Sequence, residues 1–217
     1  MKVLPPERLS PEENMKRDWD LLLALEEGRG VPTFRLYEWD KVCLSIGYSQ
    51  KPPGGLSIPV VRRPTGGGAL IHGWDLSFAI VDLRERWGGS VCSIHSSVSG
   101  FLKEVFSKVG VDLKVEKFRG RYLERYYCFF VPTFGELTFR GRKVVAMAMR
   151  TLKRAFLVHG SFYLRFDYHL ASKLLGVNEE DLRRRVLSLE EMGIRKGDIV
   201  EAFLSAIYLR CPAGRPV

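Results

Sequence analysis

Arg62-Arg63-Pro64-Thr65-Gly66-Gly67-Gly68-Ala69-Leu70-Ile71-His72 is the stretch on which the reading of this chain turns. Val60 and Val61 precede it, and a second strand-like run, Leu76 to Val81, follows. Three consecutive glycines between two strands leave that backbone without side chains. A ligand can lie directly against its N–H groups, and a positive φ carries no steric cost there. Two arginines on one side and a histidine on the other suggest a ligand that is long, thin and partly anionic. Neither nucleotide fingerprint fits: there is no GxGxxG opening a helix and no GxxxxGK[ST]. A triple glycine by itself is equally compatible with a plain loop tip.

Working outward, Ser10-Pro11-Glu12-Glu13 reads as a helix start, with Ser10 as cap, Pro11 in the first turn and Glu13 closing a capping box. Met15, Trp19, Leu22 and Leu23 then share a face, and Gly28 ends the run. Strands are expected at Phe34 to Tyr37 and Val42 to Ile46, then a loop from Gly47 to Gly55. Val91, Ile94, Val98, Phe101, Leu102, Val105 and Val109 recur at helical spacing up to Gly110. A strand through Val111 to Val115 is expected next, and residues 117–134 read as irregular, basic and aromatic. Leu137 to Phe139 and Lys143 to Val145 flank Arg140-Gly141 as a hairpin. Phe156 to Leu164 reads as a strand, and 168–176, 178–186 and 196–208 read as helices. Strands in runs, several hairpins and interspersed helices favour an α+β fold over a doubly wound sheet. There is no internal repeat or linker, so one domain over 1–217 is expected.

The chain has 217 residues, 46% of them hydrophobic, enough for one well-buried core. No run approaches the roughly 18 apolar residues of a membrane span, and the first residues carry no apolar signal core. A soluble cytoplasmic protein without membrane contact is expected. Cys43, Cys92, Cys128 and Cys211 form no CxxC pair, which favours free thiols and argues against structural zinc. The net charge of +9 suits an acidic partner. Nucleic acid is disfavoured because the cations form no dense tract, whereas an acidic carrier protein satisfies the same field. Asn14, Asn178 and Gln50 are the only side-chain amides, a scarcity that hints at a hot habitat.

The eleven-residue glycine string resembles the signature of the lipoate–protein ligase and octanoyltransferase family, relatives of the biotin–protein ligases. Pro32 to Trp39 and Ser45 to Gln50 are similar to that family's N-terminal strands. Gly141 to Ala148 resembles its lysine loop, and His159-Gly160-Ser161 the strand after it. One departure is Ala146, where the family's loop usually carries glycine. The resemblance implies a mixed, mainly antiparallel sheet with flanking helices. It also implies that Arg63, Thr65, Gly66, Gly67, Gly68, Ala69, Leu70, Ile71 and His72 line an acyl tunnel, and that Ala146, Met147, Ala148, His159, Gly160 and Ser161 bind the substrate with them. His72 reads equally well as a hydrogen-bonded structural residue.

Within this resemblance Lys143 is expected to face inward, as a cation that steadies an oxyanion or favours a neighbouring thiolate. Cys128, 15 residues earlier, is similar in position to the nucleophile of the ligase-like octanoyltransferases. A transferase needs such a thiol to hold the acyl group, whereas an ATP-using ligase does not. The expectation is octanoyl transfer from octanoyl-acyl carrier protein, through a Cys128 thioester, to a lysine of a lipoyl domain, such as glycine cleavage H protein or a dehydrogenase E2. No cofactor is implied. The accessory C-terminal domain of many ATP-using ligases has no counterpart in this length. A lipoyl-domain amidotransferase, an ATP-dependent ligase and, from a different class, a non-catalytic basic module binding nucleic acid through the aromatics and arginines of 117–130 are the rival readings. Arg119, Arg121 and Arg125 read either as docking cations or as solvated surface.

Overall fold

The computed structural model describes residues 1–115, 126–128 and 137–210. Helix α1 (Pro11–Glu26) begins at the expected capping box: the Ser10 hydroxyl accepts from the Glu13 N–H, and the Glu13 carboxylate accepts from the Ser10 N–H at 3.0 Å. Its buried face carries Met15, Leu22 and Leu25, and also Asn14 and Asp18. Leu23, expected on that face, is only half-buried.

Two short N-terminal strands, β1 (Lys2–Val3) and β2 (Glu7–Leu9), pair with β3 (Thr33–Trp39). The chain continues through β4 (Cys43–Ile46), β5 (Val60–Arg62), β6 (Leu70–His72), β7 (Asp75–Leu83), helix α2 (Val91–Lys108) and β8 (Lys114–Val115). Then come β9 (Leu137–Phe139), β10 (Arg142–Thr151), β11 (Ala155–Tyr163) and helices α3 (Tyr168–Leu175), α4 (Glu179–Arg185) and α5 (Lys196–Arg210). The large sheet runs β1-β3-β7-β11-β10-β9-β8, with β2 beside β3, and a small sheet runs β5-β4-β6. β3 through β8 pair antiparallel along that order, while β1 and β2 run parallel to β3. The fold is therefore α+β with a mixed, mainly antiparallel sheet.

Alternation along the central strands decides where the site lies, because successive side chains point to opposite faces. Phe34, Phe78, Phe156 and Phe162 face one way and pack with Phe101 of α2 and Phe203 of α5. Phe203 stacks on Phe162 at 5.5 Å and on Phe34 at 5.9 Å. Each such ring removes enough apolar surface from water to contribute roughly 3 kcal/mol. The opposite face carries Tyr37 and Trp39, Ser77 and Ala79, and His159 and Ser161, roofed by α1 and the small sheet. These strands are buried on both faces, so polar residues among their apolar neighbours stand out as candidates for chemistry.

The Arg140-Gly141 hairpin is present, with φ of 51° and 74° at the two turn residues. Two left-handed positions in succession are what a tight two-residue connection requires. The expected strand at 111–115 is reduced to Lys114–Val115, and Val111 and Leu113 ahead of it are buried in the core.

Candidate active site

The two arginines that introduce the glycine loop fasten backbone: Arg63 the loop itself, Arg62 the neighbouring segment 47–50. Buried Arg63 donates to the Ser45 carbonyl at 2.9 Å and hydroxyl at 2.8 Å, and to the carbonyls of Gly66 at 3.0 Å and Gly68 at 2.9 Å. Arg62 donates to the carbonyls of Gly47, Tyr48 and Gln50. The sequence suggested charges waiting for an anionic ligand. Instead, both guanidiniums fasten backbone: a glycine-rich loop exposes carbonyls that no regular element satisfies, and arginine supplies donors in a fixed fork. Gly67 needs its freedom, with φ at 91°. Gly47 needs its missing side chain, since a Cβ there would lie 2.2 Å from the Gly67 carbonyl oxygen.

Cys128 lies across this loop. The Ala69 N–H donates to the Tyr126 carbonyl at 2.8 Å and the Cys128 N–H to the Ala69 carbonyl at 2.9 Å, while Ala69 bridges Tyr127 in parallel. From β10, the buried Lys143 side chain reaches the Cys128 carbonyl and stands 3.4 Å from its Sγ. Lys143 sits where the β9–β10 register shifts, between Lys143 and Val145. Its carbonyl accepts from the Leu187 N–H at 2.9 Å. Arg142, next to it, donates to the Val186 carbonyl, the Tyr168 hydroxyl and Glu191. The backbone that carries the lysine is thus anchored to the segment following α4.

A cavity lies between the loop and the sheet, with Cys128 in its wall. Its volume is about 40 Å³, so it is a narrow slot. Arg63, Gly67, Gly68, Leu70, His72, Cys128, Ala146, Met147, Ala148, His159, Gly160 and Ser161 all line it. Its opposite wall is in register, with Ala146 paired to Ser161, Met147 to Gly160 and Ala148 to His159. Gly160 admits this pairing because a Cβ there would meet the Ala146 carbonyl and the Phe78 ring at 2.6 Å. Its walls are predominantly apolar, as a site for an alkyl chain should be.

Four expected tunnel residues do not border the cavity. Gly66 is the loop crest, with its carbonyl bonded to Arg63. Ala69 and Ile71 are buried with Leu44, Ile46, Trp74 and Tyr163 on the far side, because alternation along β6 sends Leu70 and His72 inward and their neighbours outward. Thr65 is fully buried and spends its hydroxyl on His159.

Two histidine–carboxylate pairs support the slot. His159 Nε2 lies 2.7 Å from the Thr65 hydroxyl, and its Nδ1 lies 2.8 Å from Asp18. Asp18 also accepts from Arg35 at 2.8 Å and Tyr37 at 3.0 Å. Burial lowers the His159 pKa and Asp18 opposes that effect; the ring is neutral, donating from Nδ1 to Asp18 and accepting from Thr65. His72 Nε2 lies 2.7 Å from the Ser45 hydroxyl and its Nδ1 2.8 Å from Asp75. Burial raises the Asp75 pKa, but His72 and the Gly73 N–H more than offset it and hold the carboxyl below its ordinary range. His72 therefore combines both roles the sequence left open: it is hydrogen-bonded framework and it borders the cavity. Asp18, Asp75, Ser45, Tyr37 and Trp39 belong to the site although no motif in the sequence marks them. A carboxylate on the apolar stripe of α1 was the available signal.

Cys43 is buried, and burial pushes its thiol pKa far up. Cys92 is exposed on the first turn of α2. Arg119, Arg121, Arg125 and Cys211 lie outside the described residues. Among the described residues, no group of three or more histidine, cysteine or carboxylate side chains is placed to hold a metal ion, and no helix is long and apolar enough to cross a membrane.

Residues 10–207 match the model of the lipoyl protein ligase A/B catalytic domain. An octanoyltransferase LipM from Brevibacillus brevis is 30% identical over 203 residues, covering 86% of this chain and 74% of the relative. A lipoate–protein ligase A crystallised with ATP superposes with a TM-score of 0.75 at 18% identity, over 96% of this chain and 84% of that one. The bi-partite lipoate protein ligase of Thermoplasma acidophilum, studied with its E2 lipoyl domain, superposes at 0.72 and 18% identity, over 97% of this chain and 84% of that one.

Proposed function

The chain belongs to the lipoyl protein ligase A/B catalytic domain family, and from that premise we propose that it is an octanoyltransferase serving protein lipoylation. One catalytic unit spanning residues 1–217 takes octanoyl from octanoyl-acyl carrier protein and gives it to a lysine of a lipoyl domain. The observation that carries this reading is the 3.4 Å approach of Lys143 Nζ to Cys128 Sγ in the wall of a narrow apolar slot. The identity of a relative named octanoyltransferase supports it.

Cys128 Sγ, as thiolate beside the Lys143 ammonium, attacks the carrier thioester carbonyl. The ammonium steadies the oxyanion as it forms. Collapse breaks the carrier carbon–sulfur bond, and the departing carrier thiolate takes a proton from Lys143. The octanoyl group is then a thioester on Cys128, its alkyl chain in the slot and the carbonyl at the mouth. A neutral amine of the acceptor lysine attacks that carbonyl and passes its proton to Lys143, leaving the amide and restoring the thiolate–ammonium pair. No nucleotide enters either step. The net charge of +9 suits acidic carriers and acceptors, whose encounter it would speed.

The test is intact-mass measurement after mixing the protein with octanoyl-acyl carrier protein and no ATP. An octanoyl adduct on the wild type that is absent from Cys128→Ala is expected. An adduct that needs ATP and survives Cys128→Ala would falsify the thioester route. Loading only from an octanoylated lipoyl domain would replace the proposed donor with that domain.

A further inference from the structure

Lys143 lies on the stretch of β10 that has no partner in β11. β10 pairs with β11 only from Val145 onward, and its register with β9 shifts between Lys143 and Val145. A distant strap of chain takes the place of β11. Val186 bridges Lys143 in parallel, and the Leu187 N–H donates to the Lys143 carbonyl at 2.9 Å. The backbone from which the ammonium reaches Cys128 is therefore placed by that strap.

One carboxylate gathers the strap together. Glu191, in the short turn Glu190–Met192, accepts from Arg142 at 2.7 Å, from the Tyr168 hydroxyl at 2.7 Å, and from the Ser188 N–H at 3.0 Å and hydroxyl at 2.9 Å. Partial burial pushes its pKa up, but Tyr168, Ser188 and Arg142 more than offset that and hold the carboxyl below its ordinary range. The Arg142 fork that meets Glu191 also donates to the Val186 carbonyl at 2.9 Å and to the Tyr168 hydroxyl at 2.9 Å. Anchoring alone does not need this cluster. The N–H groups of Leu189 and Glu190 already tie the strap to the carbonyls of Tyr163 at 2.8 Å and Leu164 at 3.0 Å. What Glu191 adds is the orientation of residues 186–188, two of which are the neighbours of Lys143. The Lys143 ammonium meets both the Cys128 carbonyl and Sγ, so a displaced backbone costs it one of the two contacts.

We propose that Glu191 is a positioning residue for the reaction: with Arg142 and Tyr168 it orients the strap that sets Lys143 against Cys128. This rests on the Lys143–Cys128 pairing of the reading above.

The experiment is a double-mutant cycle on the full chain, read as the rate of iodoacetamide alkylation at pH 7 and followed on the Cys128 peptide by mass. Lys143→Met is expected to slow alkylation by about tenfold, since an ordinary thiol carries only a few per cent thiolate at that pH. Glu191→Gln, which keeps the shape and removes the charge, is expected to slow it about fivefold when Lys143 is present and by less than about twofold in the Lys143→Met protein. Octanoyl loading by Glu191→Gln should lose about tenfold in its limiting rate, with the half-saturating carrier concentration unchanged. A wild-type alkylation rate in Glu191→Gln overturns the positioning role. An equal slowing in both backgrounds overturns it too, because a merely structural group acts whether or not Lys143 is there. Should Glu191→Gln fail to fold, Tyr168→Phe decides: it removes only a hydroxyl, and a wild-type rate again overturns the role. If Lys143→Met alkylates like wild type, the pairing itself has failed and the positioning role falls with it. If wild type takes no octanoyl from the carrier, the transferase reading has failed, while the cycle still decides whether Glu191 acts through Lys143.

Discussion

Alanine at Gly68 isolates the contact on which the site depends. The added Cβ would lie 2.9 Å from the Cys128 nitrogen and 3.2 Å from both the Cys128 Cα and the Tyr126 carbonyl oxygen. Ordinary contacts of this kind begin near 3.5 Å, so the two strands of chain must part by about half an ångström. All three obstacles are backbone, and rotating a side chain relieves none of them. Gly68 has no positive φ, so backbone strain plays no part and the effect is steric. Overpacking of this kind costs about 1–3 kcal/mol. The two hydrogen bonds joining Ala69 to Tyr126 and Cys128 are each worth about 1 kcal/mol and weaken as the strands part. For a chain of this size each kcal/mol lowers the melting temperature by about 2–4 °C. The larger consequence is kinetic, since moving a reacting group by an ångström can cost about a hundredfold in rate. Gly66→Ala is the matched control. Its Cβ would meet nothing within 4 Å, again without a positive φ, so it should be neutral or slightly stabilising. The assay is the rate of octanoyl loading together with the thermal midpoint. A Gly68→Ala protein that loads at the wild-type rate, or a Gly66→Ala protein equally damaged, refutes the reasoning.

Asp18→Ala removes the carboxylate that lies 2.8 Å from a fully buried Arg35. It should lower stability by about 3 kcal/mol in urea unfolding, because the buried charge loses its nearer partner and keeps only Glu7 at 3.4 Å. His159 binds its proton less readily in the fold than at its ordinary value near 6.5. The unfolded chain therefore takes up protons first, and the stabilisation from neutral His159 is present above about pH 6.5 and lost as pH falls below it. His159→Gln should flatten the stability profile between pH 7.5 and 5. Lys143→Met should leave Cys128 in place yet slow octanoyl loading by at least ~100-fold, read by quenched-flow mass measurement. Brief maleimide labelling of the native protein should modify exposed Cys92 and spare buried Cys43, with peptide mapping as the readout.

The elements that could be read from sequence are those whose cause is local. The capping box at Ser10, the apolar spacing of α2 and the Arg140-Gly141 turn each need only a few neighbouring residues, and each is present. Strand order is different. β7 receives β3 on one side and β11 on the other, and nothing in 75–83 states which distant segments those are. Which residues of β6 face the cavity is hidden for a related reason. Leu70 and Ile71 are equally apolar, and only the placement of the large sheet decides which of them meets the slot.

The site was legible where it shared a local motif and illegible where it was assembled from isolated charges. Lys143 and Cys128 are 15 positions apart and the fold brings them to 3.4 Å; the resemblance, and not any local pattern, picked them out. Asp18 carried a signal of its own. It falls on the stripe with Met15, Leu22 and Leu25, where an unpaired carboxylate would be expensive. Such a residue implies buried partners, and here they are Arg35, Tyr37 and His159. Through His159 and Thr65 the same carboxylate steadies the start of the glycine loop. A charge that looks misplaced on a helix is thus part of what fixes the loop, and with it the wall against which an acyl chain would lie.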